Sequence, residues 1–286
     1  YQKFREEIEL PIAVNQDANK MERLQRMIRP FILRRLKGDV LKDLPEKIEE
    51  NVFARLDGEQ MQLYDAYATR MKEMLSQQNE KEFHKGRMQI LSELTKLRQL
   101  CCDPALVYEN YEGGSAKLDL CIELIQSAVE SGHKILLFSQ FTSMIEILTA
   151  RLQEESISYF VLQGSTKKEQ RAQMVEQFNR DDTSVFCISL KAGGTGLNLT
   201  GADIVIHYDP WWNVAVENQA TDRAHRIGQK NVVTVYKLIA KGTIEEKIIK
   251  LQQMKKELAE EILSGDEIKT ASFQREELLE LLEERF

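Results

Sequence analysis

The sequence predicts an α/β protein in which a parallel sheet is covered by helices on both faces and is preceded by an all-helical region. From about residue 116 onward, short apolar runs rich in Val, Ile and Phe alternate with segments whose apolar residues recur every three or four positions. Strands separated in this way by helices favour a parallel sheet, because each connection must cross over the sheet. Before that point apolar residues recur only at helical spacing, so no strand is predicted there.

The elements of the sheet region follow from this alternation. Strands are predicted at 134–139, 159–162, 185–189, 203–208 and 232–239, and helices at 141–155, 167–179, 213–226 and 244–263.

The region before the sheet is expected to contain helices only. They are predicted at 19–36, 57–75 and 83–101. Asp57 is a plausible N-cap for the second of these helices. The third ends before Asp103-Pro104, because the residue preceding a proline avoids helical backbone.

A break in the pattern at Glu112–Lys117 predicts a domain boundary. Two glycines and a serine interrupt the helical periodicity there, before a further helix at 118–130. We therefore expect a helical region over 1–115, a sheet domain over 116–265 and an acidic tail helix within 266–286.

Composition excludes several classes of protein. The chain has 286 residues, 42% of them hydrophobic and 30% charged, with a net charge of -7, which is typical of a folded globular protein and not of a disordered one. No apolar run is long enough to span a bilayer and the start has no signal-peptide pattern, so we expect neither a membrane nor a secreted protein. The four cysteines include no CxxC pair, which indicates a reducing compartment. The chain starts at Tyr1 within a pattern, so we expect a piece of a longer polypeptide.

Three segments could carry chemistry, since ligands gather beyond the carboxyl ends of parallel strands. The first, SLKAGGTGLNLT at 189–200, places Gly193, Gly194 and Gly196 after a predicted strand. Glycines let a backbone approach a ligand and present N–H groups to an anion, although a tight strand-to-helix turn would use the same residues. The segment lacks the GxxxxGK[ST] pattern of a P-loop.

The second segment, QATDRAHRIGQ at 219–229, is predicted to end a helix. Gln219, Arg223 and Arg226 stand at i, i+4 and i+7 and would share one helical face, with Gly228 able to close the helix. Two guanidinium groups and an amide side by side suit phosphate oxygens. A solvated face paired with acidic neighbours such as Asp222 is the alternative interpretation.

The third segment, DPWWN at 209–213, is interpreted as one core tryptophan and one interface tryptophan. Near the start, 20–37 contains seven basic residues against one glutamate, which is either a footprint for a phosphate backbone or a solvated surface.

In combination these motifs resemble the carboxyl-terminal lobe of the Swi/Snf family of helicase-like ATPases. Five blocks are similar to that family and follow its order: ILLFSQFTSMI, LQGSTKKEQRAQMVEQFN, SLKAGGTGLNLT, HYDPWWN and QATDRAHRIGQ. RPFILRRLKGDVLKDLPEK resembles the family's basic helix, and VYKLIAKGTIEEKI resembles the strand and helix that close the lobe. The resemblance implies a RecA-like fold.

The resemblance also implies roles for individual residues. Arg226 looks like an arginine finger that completes an ATP site, with Arg223 and Gln219 beside it. Nucleotide contacts are implied for Gly194, Gly196 and Asn198. Contacts to the DNA backbone or groove are implied for Gln140, Phe141, Gly164, Ser165, Thr166, Arg171, Lys191, Gly193, Thr195 and Trp212.

The family's amino-terminal lobe carries a GKT-type phosphate loop and an acidic DExx motif, and we identify neither in this sequence. The implied cofactors, ATP and Mg²⁺, would be bound mainly by that missing lobe, so the chain alone should be inactive. Expected partners are double-stranded DNA, the amino-terminal lobe of the same polypeptide and a protein obstacle on the DNA, with no membrane and no metal site. We expect a monomer.

Two alternatives remain at this point: an inert lobe that serves as a scaffold for nucleic acid or protein, and an RNA helicase lobe. The compact spacing of the blocks favours a bacterial or archaeal cytoplasmic protein associated with DNA, and a nuclear eukaryotic remodeller is the alternative.

Overall fold

The computed structural model describes residue 7 and residues 18–28, 44–190, 192 and 196–253. Residues 29–37 of the basic stretch, the tail helix and the ends of the predicted helices at 19–36 and 244–263 lie outside the described residues. So do Lys191 and 193–195, which are four of the predicted glycine-loop contacts: Lys191, Gly193, Gly194 and Thr195.

Six parallel strands form a single sheet in the order β1-β6-β5-β2-β4-β3. The five predicted strands are confirmed, with ends that differ by no more than two residues. The strands are β1 at Lys47–Arg55, β2 at Ile135–Ser139, β3 at Tyr159–Leu162, β4 at Val185–Ser189, β5 at Ile204–His207 and β6 at Val233–Lys241.

Strand β1 corrects the expectation that no strand precedes residue 115. It pairs in parallel with β6 along all nine residues, from Lys47 opposite Val233 to Arg55 opposite Lys241. Only Ala54 of the strand is fully buried. The strand was missed because an edge strand needs no continuous apolar run, and KIEENVFAR is dominated by polar residues in its first half.

The helices lie close to their predicted positions, with one exception described below. They are α1 at Ala18–Ile28, α2 at Gly58–Gln77, α3 at Glu80–Cys102, α4 at Ala116–Glu130, α5 at Thr142–Glu154, α6 at Lys168–Arg180, α7 at Val214–Thr221 and α8 over 244–253, with a short 3₁₀ turn at Pro104–Leu106. Among the described helices, none combines the length and the apolar character needed to cross a bilayer.

Side-chain caps determine where the helices before the sheet begin and end. Asn79 starts α3 with a reciprocal capping box to Glu82. Asp103 ends α3 and accepts a hydrogen bond from the N–H of Ala105, as the Asp-Pro pair predicts. Ser115 caps α4 and donates to the carbonyl of Cys102, so the Gly-Gly-Ser break is closed onto the preceding helix.

The sheet is buried on both faces, because successive residues of its central strands enter different cores. Ile135 and Leu137 of β2 pack with α4 and α5 on one face. Leu136 and Phe138 pack on the opposite face, where Phe178 of α6 also lies. This alternation explains why the central strands read as continuous apolar runs.

A third core joins α2 and α3, which follow β1 in the chain, to the end of β6 and the start of α8. Tyr64 and Leu97, from α2 and α3, lie in one cluster with Ala240 and Ile244. The hydroxyl of Tyr64 also accepts the backbone N–H of Ile244 at 2.8 Å. Helices α2 and α3 are therefore packed on the sheet and do not stand apart from it.

One buried ion pair fastens α4 to the start of α8. The ammonium of Lys117 binds the carboxylate of Glu245, and both side chains are fully inaccessible to solvent. Burial, the largest single influence, opposes the charge on Lys117, but the attraction and hydrogen bond of Glu245 together with the neighbouring Cys102 and Cys101 hold the lysine pKa above its usual value. The same carboxylate accepts the N–H of Ala240.

Removing one member of this pair should destabilise the protein strongly. Lys117→Met leaves a buried carboxylate without its cation and should lower the free energy of unfolding by about 3–5 kcal/mol. The double variant Lys117→Met/Glu245→Gln should recover part of that loss. Urea unfolding measures both, with Arg180→Met as the control, because the exposed Arg180–Glu176 bridge contributes at most about 0.5 kcal/mol. Additive losses in the double variant would contradict a coupled pair.

Candidate functional site

A cavity of about 640 Å³, here called the tryptophan groove, lies between α3 and the carboxyl ends of β2, β4 and β5. Four predicted site residues meet in it: Gln140 and Phe141 after β2, Trp212 after β5, and Gln219 on α7. It is lined by Leu91, Leu94, Thr95, Arg98, Gln140, Phe141, Leu190, Trp211, Trp212, Val216 and Gln219. These four residues therefore lie together at one edge of the sheet.

Asp209 organises the carboxyl ends of β2 and β5. Its buried carboxylate accepts the hydroxyl of Ser139 at 2.6 Å and the backbone N–H of Gln140 at 3.3 Å. The last residue of β2 and the first residue after it are therefore tied to the DPWWN loop. Because the bonds to Gln140 use its backbone, its amide side chain remains available for other contacts.

Arg98 of α3 enters the tryptophan groove from the helical region. Its guanidinium donates to the Gln140 side-chain carbonyl at 2.9 Å and to the backbone carbonyl of Pro210. It also lies 5.5 Å from the Trp211 ring and 5.6 Å from the Trp212 ring. This arginine was missed in the sequence, although it interrupts the apolar stripe of α3 and so stands out there.

Glu217 of α7 holds the DPWWN loop from its other side. Its buried carboxylate accepts the backbone N–H of Trp211 at 2.6 Å and the Gln252 side-chain amide at 3.0 Å. Burial raises the pKa of Glu217, and Lys237 at 3.7 Å opposes that shift. Trp211 packs against a sheet core while Trp212 borders the third core and the groove.

A second, more open cavity of about 680 Å³, here called the glycine groove, lies beside α6. Predicted residues from two blocks meet in it: Thr166 and Arg171 from one, Gly196 and Asn198 from the other. Lys168 adds a second basic side chain. Gly164 and Ser165 are exposed in the adjoining turn but do not line the cavity. A Cβ at Gly196 would meet nothing within 4 Å, so its backbone faces open space.

The QATDRAHRIGQ segment departs from the prediction. Helix α7 ends at Thr221, and 222–229, here called the arginine turn, consists of successive turns. Gln219, Arg223 and Arg226 therefore do not share one helical face: Gln219 lines the tryptophan groove, and the two arginines do not. Gly228, with φ +102°, closes a turn in the left-handed region instead of ending the helix.

The arginine turn is also located differently from the expectation that all three segments lie at the carboxyl ends of strands. Gln229, 7% exposed, donates to the carbonyl of Ala202, two residues before β5, at 2.7 Å. His225 contacts the carbonyl of Pro45, two residues before β1, at 2.8 Å. The turn is thus anchored at the amino ends of these strands, because α7 runs back across the sheet before it ends.

Residues 196–201 link the glycine groove to the arginine turn. The N–H of Leu199 donates to the carbonyl of Arg223 at 3.0 Å. Asn179 of α6 donates to the carbonyl of Asn198 at 2.8 Å and accepts the N–H of Gly201 at 2.9 Å. Two predicted nucleotide contacts, Gly196 and Asn198, therefore lie in a short segment held between α6 and Arg223.

The arginine turn fits an anion. Burial and the neighbouring positive charge of Arg226 lower the pKa of Arg223, so the two guanidinium groups lie within electrostatic reach of each other. Arg226 is exposed. Two adjacent cations of this kind suit the oxygens of a polyphosphate. Among the described residues there is no group of three or more His, Cys, Asp or Glu side chains that could hold a metal ion.

Gln229 supports the arginine turn, although the sequence predicted no role for it beyond its place in the QATDRAHRIGQ motif. Its side-chain amide donates to the carbonyls of Ala202 and Ala224, and its carbonyl accepts the N–H groups of Lys230 and Asn231. A buried glutamine with this many backbone partners fixes the loop around it. Nothing in the sequence distinguishes it from an exposed glutamine in a turn.

Comparison with known proteins agrees with this arrangement. A family model described as "Helicase conserved C-terminal domain" matches residues 116–228, and one described as "SNF2-related domain" matches residues 1–106. The C-terminal domain of the Sulfolobus solfataricus SWI2/SNF2 ATPase is 33% identical, with a TM-score of 0.65 over 83% of this chain and 99% of that one. This chain belongs to the SWI2/SNF2 family.

Two further proteins are similar to this chain. The Sulfolobus solfataricus SWI2/SNF2 ATPase core in complex with dsDNA is 36% identical, with a TM-score of 0.65, over 93% of this chain and 57% of that one. An uncharacterized ATP-dependent helicase of Mycoplasma pneumoniae is 43% identical over 91% of this chain. The chain spans 25% of the length of that relative, so it corresponds to part of a longer family member.

Acid should destabilise the strand that leads into the DPWWN loop. His207 of β5 is buried, with its Nε2 2.9 Å from the Thr221 hydroxyl, and burial lowers its pKa from 6.5 to about 3. Because the unfolded chain binds a proton that the folded chain excludes, stability falls as the pH drops below 6.5.

The variant His207→Gln should therefore flatten the pH dependence of unfolding. Between about pH 5 and 6.5 the unmodified protein should lose up to about 1.4 kcal/mol per pH unit more than the variant. Urea unfolding at several pH values measures the slope, and above about pH 7.5 the two profiles should run parallel. Equal slopes down to about pH 5 would mean that His207 is not kept neutral.

Proposed function

We propose that this chain is the second motor lobe of an ATP-dependent double-stranded DNA translocase or remodeller of the SWI2/SNF2 type. In this proposal the arginine turn completes an ATP site on the amino-terminal lobe of the same polypeptide. The tryptophan groove and the glycine groove contact the DNA backbone. The observation that carries the proposal is the segment 196–201, which lines the glycine groove at one end and is hydrogen-bonded to Arg223 at the other.

Arg226 acts as the arginine finger in this proposal, with Arg223 beside it. During hydrolysis a water attacks the γ-phosphorus and the bond to the leaving ADP oxygen breaks, so negative charge accumulates on the transferring group. An exposed guanidinium that reaches this group disperses the charge. The buried contacts of His225 and Gln229 hold the turn in place and leave Arg226 directed outward. Gln219 has a different role from the arginines, since it lies in the tryptophan groove.

DNA contacts are proposed for two sets of residues. Gln140, Phe141 and Trp212 supply an amide and two aromatic faces at the carboxyl edge of the sheet. Thr166 and Arg171 supply a hydroxyl and a guanidinium at the glycine groove, beside the exposed turn at Gly164 and Ser165. The amide, hydroxyl and guanidinium groups suit phosphates and do not read base sequence, whereas the aromatic faces suit apolar contacts with sugars or bases. The solved dsDNA complex of the Sulfolobus solfataricus SWI2/SNF2 ATPase core supports duplex DNA as the partner.

Coupling between ATP hydrolysis at the arginine turn and DNA contact at the glycine groove follows from the short segment 196–201 that joins them. A change in the position of Arg223, when ATP binds or is hydrolysed, is transmitted through the Leu199 backbone to Gly196 and Asn198. Asn179 ties the same segment to α6, which carries Arg171. Each cycle would therefore alter the grip of this lobe on one DNA strand, and the lobe should show no turnover without its partner lobe.

The decisive variant is Arg226→Ala, tested in the longer polypeptide that carries this chain together with its amino-terminal lobe. Duplex DNA should stimulate ATP hydrolysis in the unmodified protein. The variant should lower kcat about 10³–10⁵-fold, because the charge on the transferring phosphoryl group is no longer dispersed. The 286-residue chain alone should hydrolyse no ATP.

The matched control is Arg180→Ala, which removes an exposed arginine on α6 that pairs only with Glu176 within the described residues. Its ATPase activity should equal that of the unmodified protein. Comparison of duplex DNA, single-stranded DNA and RNA as activators separates the alternatives. Stimulation by RNA alone would indicate an RNA helicase lobe, and turnover that ignores Arg226 would leave a binding scaffold as the better interpretation.

A further inference from the structure

We infer that Arg98 is a positioning residue that holds Gln140, Trp211 and Trp212 as one preformed DNA-contacting surface. This inference rests on the proposed function for the meaning of that surface, but its geometry is independent of it. Arg98 lies on α3, between β1 and β2 in the chain and before the sheet domain predicted over 116–265. It therefore makes the carboxyl edge of the sheet dependent on a helix that is distant in sequence.

The guanidinium of Arg98 makes directional bonds to two different strand ends. It donates to the side-chain carbonyl of Gln140, which follows β2, at 2.9 Å. Its other terminal nitrogen donates to the backbone carbonyl of Pro210, which follows β5, and lies 3.9 Å from the carboxylate of Asp209. One planar group thus fixes the spacing between the two loops.

The same guanidinium contacts three aromatic rings. It lies 5.7 Å from the ring of Phe141, 5.5 Å from that of Trp211 and 5.6 Å from that of Trp212. These distances lie within the range of cation–π attraction. Since Arg98 is only 3% exposed, water does not screen these contacts. The three rings therefore pack around a buried cation whose position is fixed by the protein.

Charge and the planar shape of the guanidinium together explain the arginine at this position. Asp209 is fully buried, and among the described residues its cationic partner is Arg98. Lysine would retain the charge but not the planar fork that reaches Gln140 and Pro210 together. Loss of the fork should therefore release the two loops from each other even where the charge is kept.

Two hydrogen-bond donors in the tryptophan groove lack an acceptor within the described residues. The Nε of Arg98 and the side-chain nitrogen of Gln140 are buried and have no hydrogen-bond partner within the described residues. Both residues line the tryptophan groove. Arg98 therefore fixes the orientation of the Gln140 amide: its carbonyl is occupied by the guanidinium, and its N–H₂ group lies in the groove without an acceptor among the described residues.

Arg98→Lys tests the inference by two readouts. Trp211 and Trp212 are the two tryptophans of the 286-residue chain, so its intrinsic fluorescence reports on this surface. The variant should shift the emission to longer wavelength and make it more accessible to acrylamide. In the two-lobe protein it should raise the KM for duplex DNA about tenfold while kcat at saturating DNA changes much less. A purely structural role would lower the amount of active enzyme and leave KM unchanged.

The matched control is Lys96→Met, which removes a cation from the exposed face of the same helix. It should leave the emission spectrum and the KM for DNA unaltered. If Arg98→Lys fails to fold, Arg98→Met/Asp209→Asn removes the fork without leaving a buried charge unpaired and should give the same two changes. Unchanged emission and unchanged KM in a folded variant would overturn the inference.

The inference and the proposed function can fail separately. If DNA does not stimulate ATP hydrolysis by the unmodified two-lobe protein, the proposed function is wrong. The fluorescence of the 286-residue chain then still decides whether Arg98 holds the two tryptophans: a red shift supports it, and an unaltered spectrum refutes it.

Discussion

Parallel strand pairing is the constraint on which the rest of this structure depends. Six parallel strands require that every connection cross the sheet, so helices must cover both faces and the strand interiors must be apolar on both sides. The crossovers bring the carboxyl ends of β2, β4 and β5 to one edge, where the tryptophan groove forms. They also return the chain to the opposite edge before each new strand, which is where the arginine turn is anchored.

Buried polar contacts convert this scaffold into a site with fixed geometry. Asp209 joins two strand ends, Glu217 holds the backbone of Trp211, and Gln229 fixes the loops before β5 and β6. Each is buried and each bonds to backbone groups, so its loss would leave unpaired polar atoms inside the protein. The loops of the candidate site are therefore held in position by buried residues that need not contact any ligand.

The helices before the sheet belong to the same structural unit as the site. Strand β1 extends the sheet at its edge, the third core packs α2 and α3 against the end of β6, and Lys117 binds Glu245 across the predicted domain boundary. Arg98 of α3 extends these contacts to the tryptophan groove by its hydrogen bond to the Gln140 side chain. In the SWI2/SNF2 interpretation, a displacement of α3 would be felt at Trp212 and the Gln140 side chain, because one guanidinium contacts both.

The sequence by itself determined the central strands, nearly all of the helices, the family and four lining residues in each of the two grooves. These features depend on local periodicity and on motifs, and burial on both faces leaves a direct record as apolar runs such as ILLFS and VFCIS. Only the tertiary structure decided that KIEENVFAR is a strand, that α7 ends at Thr221 and that the arginine turn lies at the amino ends of strands. An edge strand needs only one partner strand and little burial, so its sequence carries no apolar run. The position of Arg98 depends on the carbonyl of Pro210, and the turn after α7 depends on the carbonyl of Pro45, both more than a hundred residues away in the chain.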